Sequence, residues 1–255
     1  MAGLKSLAKD TVIYGLSSIV GRFLNYLLVP LYTAKLTVES GGYGVITNVY
    51  SYTALLLVIL TYGMETTFFR FSNKPEEDPK KVYSTILMSV GFTSILFVAA
   101  VLLFLNPISS ALGYVNHPEY IGVMAMVVAM DAFQAIPFAY LRQQKKAIKF
   151  ASLKLLFIIL NIGLNLLYFV VLPALYKNYP DVVGLIYSPT IGVGYAFFLN
   201  LVCTSIIMLC LLPELRGFKY VFDKALLKRM LKYSIPILIL GIAGILNQTA
   251  DKILF

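Results

Sequence analysis

The chain has 255 residues, 59% of them hydrophobic and 13% charged, with a mean hydropathy of +0.82 and a formal net charge of +9. A soluble domain carries about 25% charged residues, so this composition excludes an ordinary soluble enzyme or nucleic-acid-binding domain and puts the chain in lipid. With 18 Tyr, 17 Phe and no Trp, tyrosine must supply most of any interfacial aromatic belt.

Seven apolar segments, near residues 11–36, 43–69, 82–105, 119–141, 150–174, 188–212 and 233–255, are each long enough to cross a bilayer. The first follows Lys5 and Lys9 as a signal peptide would. It is too long for a signal h-region, carries Arg22 and lacks a small-residue cleavage site, so it reads as a retained span. Counted from Thr11, Arg22 lies roughly 16 Å deep, close to the membrane midplane. A guanidinium there costs on the order of 2.5–3.5 kcal/mol. Ser18, Arg22, Asn25 and Tyr32 follow helical spacing and form one polar stripe, which must face a wet or protein-lined interior. Two roles stay open for Arg22: an ion pair with a carboxylate inside a bundle, or an anion site in a transport cavity. Pro30 removes one helical hydrogen bond and lets the outer part of the span bend.

The second span opens on the turn Gly41 to Gly44 and carries Asn48, Tyr52, Tyr62 and Thr66 on one face, with Glu65 and Arg70 near its end. The fourth places Asp131 about halfway across, with Gln134 on the same face and Pro137 beyond. Asp131 is a candidate coupling carboxylate or a structural partner for Arg22. Lys154, Asn161, Asn165 and Tyr168 make a third stripe on the fifth span, and the sixth adds Asn200 and Thr204. Spans one, two, four and five thus each have a polar face. These faces make more sense around a shared cavity than in a dry core, where every amide needs a partner.

The stretch 213–232 is amphipathic and basic, and reads as an interfacial helix joining two bundles or as a solvated loop. The seventh span ends with Asp251 and Lys252 in its last turn, inside an apolar run, as a truncated protein would. Of the 21 Lys and Arg, seventeen fall on the side of the N-terminus and only Lys35 and Lys177 on the other, which predicts a cytoplasmic N-terminus.

No catalytic constellation stands out. His117 is the only histidine, there is no glycine-rich phosphate loop and no nucleophile elbow, and Cys203 and Cys210 read as small apolar fillers. The expectation is a protein that is not an enzyme and needs no metal or cofactor.

Several local patterns occur together in order: GRFLNYLLVPLYT in the first span, ESGGYG before the second, YGMETTFFRF at its end, LRQQKKAIKFASLKL between the fourth and fifth, and a seventh span opening near Pro236 and closing on ADKILF. In this the chain resembles the polysaccharide flippases of the multidrug/oligosaccharidyl-lipid/polysaccharide exporter superfamily. The resemblance implies an all-α polytopic membrane fold of two six-helix lobes with rocker-switch access. Residues 1–212 would be the first lobe, 213–232 a cytoplasmic linker and 233–255 the start of the second lobe. The implied substrate is an undecaprenyl-pyrophosphate-linked oligosaccharide flipped across a bacterial inner membrane for cell-surface polysaccharide such as lipopolysaccharide, with membrane lipid and polysaccharide-assembly proteins as partners and no nucleic acid. Arg22 matches the cationic cavity residues thought to engage pyrophosphate, and Lys154 matches less closely. Candidate cavity residues are Arg22, Asn25, Asn48, Tyr52, Lys154, Asn161 and Asn165, with Asp131, Glu65 and Asp251 as coupling or cavity carboxylates. Rival readings are a cation-coupled drug or metabolite exporter of the same fold, which Asp251 keeps open, and a membrane glycosyltransferase or polymerase.

Overall fold

The computed structural model describes residues 28–36, 42–217 and 219–254, with side chains described as far as residue 247. Among the described residues every regular element is helical. Five helices are long and apolar enough to cross a membrane: Gly42–Ser72, Pro79–Leu103, Pro118–Gln143, Ala147–Tyr176 and Lys224–Asn247. The protein is an all-α polytopic membrane protein. Its described residues divide into two compact units that cut across chain order, one of those up to Thr47 with Ala147–Ile207, the other of Asn48–Lys146 with those from Met208 onward.

The described part of the first span is α1 (Leu28–Lys35). The second span, expected as one helix, is broken into α2 (Gly42–Thr61) and α3 (Met64–Ser72). The cause is local. Tyr62 and Gly63 both take positive φ, 33° and 71°, a region that glycine enters freely and tyrosine rarely does. The Tyr62 hydroxyl meets Ser89 Oγ at 2.7 Å, which anchors the strained residue. Twenty residues of α2 already reach about 30 Å, the hydrocarbon thickness, so the break comes where the membrane core ends.

Beyond the break, α3 is a short amphipathic helix. Its buried residues Met64, Thr67, Phe68, Phe71 and Ser72 recur at i, i+3, i+4, i+7 and i+8, a single helical face. That face meets α4 (Pro79–Leu103) and α6 (Pro118–Gln143), with α5 (Leu105–Ala111) between those two in the chain. Tyr83 stacks on Tyr140 with ring centroids 4.2 Å apart, and Phe68 packs edge-on to Tyr83 at 6.0 Å. Asp78 caps α4 by accepting the Lys80 N–H, and Pro79 takes the first helical position, where no N–H is needed. The first turns of α4 are buried all round, from Val82 to Leu87, whereas further along Phe92, Ile95, Leu96 and Leu103 are exposed for lipid. Of the five membrane-length helices α6 is the one enclosed by protein, with 67% of its most apolar window buried against 28% or less for the others. The core of this unit therefore gathers at the α3 end, where α11 (Lys224–Leu254) contributes Leu226 and Met230.

The stretch 213–232 is not a separate interfacial helix. Leu212–Leu215 forms one 3-10 turn, Gly217 turns the chain at φ 87°, and helix resumes only at Lys224, running without a break to Leu254. The segment between lies along the start of α4. Val221 donates its N–H to Ser84 Oγ at 2.8 Å, Thr85 Oγ1 donates to the Val221 carbonyl at 3.3 Å, and the Tyr83 hydroxyl donates to the Glu214 carbonyl at 3.1 Å. Three side chains of α4 thus supply partners that a helix would have supplied internally. Asp223 closes the strap: its carboxylate pairs with Lys81 and accepts the Leu226 N–H at 2.9 Å as an N-cap.

Hydrogen bonding from Lys81, then from the Leu226 N–H, holds the Asp223 carboxyl below the usual carboxylate range. A lowered folded value means that the stabilisation is complete above the unfolded carboxylate pKa, about 3.9, and is lost as pH falls through the folded one. Asp223→Asn should lower the thermal unfolding temperature at neutral pH, and the gap from wild type should close on acidification below about pH 4. A gap independent of pH would assign Asp223 a role other than its charge.

The other unit holds the fifth span, α7 (Ala147–Leu166) continuing through a π turn at Leu167–Val171 into α8 (Leu172–Tyr176). Pro173 explains the π turn: it has no N–H to offer the Phe169 carbonyl, and the ladder slips so that the Leu172 N–H reaches Leu167 O. After α9 (Pro180–Val183) and a 3-10 turn at Pro189–Ile191, α10 (Gly194–Cys210) begins later than the expected residue 188, because Pro189 and a left-handed Gly192 interrupt the helical run.

Candidate functional site

The expected polar residues fall in both units. Arg22 and Asn25 lie outside the described residues, as does the side chain of Asp251, which belongs to α11. In the unit of α1 and α7, Tyr32 on the first-span stripe donates its hydroxyl to Asn165 Oδ1 at 2.7 Å. Asn165 turns its amide back along α7, to Asn161 O at 2.7 Å and Asn161 Oδ1 at 3.0 Å. Asn165 is fully buried, and Tyr32 is closed in further by Phe169, edge-on at 5.5 Å, and by Tyr43, stacked at 6.2 Å. The stripes of the first and fifth spans do meet, at this point, and there they satisfy one another. Lys154 is exposed on the same helix three turns earlier.

This lock gives a stability prediction. Tyr32→Phe removes the donor and leaves a buried Asn165 oxygen unsatisfied, which costs about 1 kcal/mol in a membrane helix pair. Detergent unfolding should register that loss. A variant as stable as wild type would show that the buried amide finds another donor.

In the other unit, Asn48 and Tyr52 lie one turn apart on α2, both half-buried. The Tyr114 hydroxyl donates to Asn48 Oδ1 at 3.4 Å, a long bond. Burial, followed by the nearby Tyr52, raises the Tyr114 phenol above its ordinary range. The sequence reading missed Tyr114 because it comes from a loop, where helical periodicity says nothing. Asp131 is half-buried on α6, three residues from the buried Gln134. Glu65 is held in an ion pair by Arg142, whose guanidinium also lies 4.8 Å over the Phe69 ring. Arg70 lies 4.5 Å over the Tyr233 ring. These contacts tie α3 to α6 and α11 through partly exposed charges.

In the sixth span, Thr204 donates to Asn200 Oδ1 at 3.4 Å, and both are buried. Among the described residues no three His, Cys, Asp or Glu side chains converge as metal ligands would. The described arrangement is one of amides, phenols and single charges set into apolar helices, several of them bonded to one another.

The family model for polysaccharide biosynthesis proteins matches residues 7–255. No curated protein and no solved structure matches the chain. The match runs through every span and linker described above, from the first apolar segment to the end of α11, and on that footing this multi-pass membrane protein belongs to the polysaccharide biosynthesis protein family.

Proposed function

We propose that the protein flips undecaprenyl-pyrophosphate-linked oligosaccharide repeat units from the cytoplasmic to the outer face of a bacterial inner membrane. The observation that carries this reading is the family match over nearly the whole chain, in a protein whose membrane-length helices bear amides, phenols and isolated charges. The task is to move a hydroxyl-rich sugar and a pyrophosphate through about 30 Å of hydrocarbon while the lipid tail stays in the bilayer. Each lost hydration contact needs a replacement, and Asn, Tyr and carboxylate side chains supply both donors and acceptors. Arg22, by its place in the first span, is the group suited to phosphate oxygens, because a guanidinium can hold two at once. Asp131 is the carboxylate best placed for coupling, by its position mid-span on α6.

The test is reconstitution. Liposomes holding the purified protein and a fluorescent lipid-pyrophosphate-linked oligosaccharide are treated with a membrane-impermeant quencher, and the slow phase reports flipping. Faster exchange than in protein-free liposomes supports the reading. Equal rates, with the protein folded and inserted, remove it.

A further inference from the structure

The unit of α1 and α7 contains a cleft of about 290 Å³ beside the Tyr32–Asn165 lock, bordered by Phe169 and by Tyr168 of the fifth-span stripe. Its lining is unusual for this chain. Tyr168, Tyr187 and Tyr195 crowd together, Tyr168 and Tyr187 lying 4.9 and 5.5 Å from Tyr195, the latter pair nearly parallel at 11°. Lys35, from the last turn of α1, stands at the edge.

The backbone is shaped to make this cluster. The π turn forced by Pro173 spans Leu167–Val171 and so resets the direction of Tyr168 relative to the rest of α7. Tyr195 is fixed from the opposite side: its hydroxyl accepts the Ser188 N–H at 2.7 Å and donates to the Ser188 carbonyl at 3.2 Å. Tyr168 and Tyr187 keep part of their rings exposed, whereas Tyr195 is buried behind them.

The charge distribution singles out the same place. Lys35 and Lys177 are the two cations assigned to the side opposite the N-terminus, a side from which such residues are otherwise excluded. One of these two lines the tyrosine cleft. Tyrosine faces take the C–H edges of a pyranose, their hydroxyls bond its hydroxyls, and an ammonium at the rim selects a carboxylate or phosphate on the sugar. The volume suits one or two sugar rings.

We propose that this cleft is a binding site for an anionic saccharide, at the mouth where the flipped glycan emerges. The inference deepens the proposed function and rests on it for the orientation, but the binding itself does not require transport. It is tested on the full chain in lipid nanodiscs by saturation-transfer NMR, with digalacturonate as acidic probe, cellobiose as neutral probe and inorganic phosphate as anion alone.

Digalacturonate should bind at least about tenfold more tightly than cellobiose. Lys35→Gln should erase that preference and leave cellobiose unchanged. Tyr168→Ala should weaken both sugars by about tenfold, and Tyr168→Phe should weaken both by less than that, about two- to threefold, since the ring remains and only the hydroxyl's bond is lost. Lys35 also complements the dipole of its own helix end. A Lys35→Gln effect confined to thermal stability, with the probe preference intact, overturns the proposal, as does displacement of digalacturonate by phosphate at equal concentration. Flipping assayed on the same preparation separates the two readings. Flipping without saccharide binding removes the cleft alone, whereas saccharide binding without flipping keeps the cleft and removes the transport reading.

Discussion

Arg22→Ala is expected to reduce flipping by about 10- to 150-fold, the value of losing a partly buried charge-assisted contact of roughly 1.5–3 kcal/mol. Arg22 is the one cation that the sequence puts mid-membrane on a polar stripe, and the proposed substrate carries a pyrophosphate. Arg22→Lys keeps the charge but loses the planar fork, and should retain part of the activity. The competing role, neutralising a carboxylate such as Asp131, makes a different forecast. Removing one member of such a pair strands a charge and destabilises the protein, and removing both relieves it. The double variant Arg22→Ala with Asp131→Asn therefore decides. If Arg22 binds substrate the double variant folds and stays inactive; recovered flipping would end the anion-site reading.

The largest stability effect should come from Gly63→Ala. Gly63 sits at φ 71°, and a Cβ there would lie 3.0 Å from the Ser234 carbonyl oxygen and 3.1 Å from Ile237 Cβ and Cγ2. A left-handed alanine costs about 1–2 kcal/mol, and pressing it onto α11 adds about 1–3 kcal/mol of overpacking. The backbone oxygen of Ser234 cannot swing aside as a flexible side chain would. A total near 3 kcal/mol should lower the unfolding temperature in detergent by roughly 5–10 °C. Gly163→Ala is the control: it lies mid-helix with nothing within 4 Å of its Cβ, and should be neutral or slightly stabilising through helix propensity. Equal behaviour of the two variants would show that the break at Tyr62–Gly63 is not fixed by packing. The same break sets α3 against α4 and α6, so this backbone position also governs the ion pair of Glu65 with Arg142.

Much of the architecture is legible in the linear chain. Composition places it in lipid, apolar runs locate the membrane-length helices of the second to fifth spans to within a few residues although α11 starts at Lys224, nine residues before the expected 233, and the patterns from GRFLNYLLVPLYT to ADKILF point to the family that the matched residues 7–255 establish. These are local or cumulative signals, and hydrocarbon enforces them, since a spanning backbone has to satisfy itself as helix.

What the sequence does not carry is who meets whom. Periodicity put Asn165 on a polar face, but only the fold shows that face closed by Tyr32, 133 positions away, and Glu65 held by Arg142, 77 positions away. It equally concealed the strap, because an amphipathic stretch bonded to the hydroxyls of Tyr83 and Thr85 and to Ser84 Oγ is indistinguishable in sequence from one folded as a helix. The tyrosine cleft draws on α1, the π turn, the segment before α10 and the first turn of α10, none of which signals the others. Helical spacing records the direction in which a side chain leaves its own axis; the partner it finds there depends on how distant helices pack, which is decided only once the whole chain has folded.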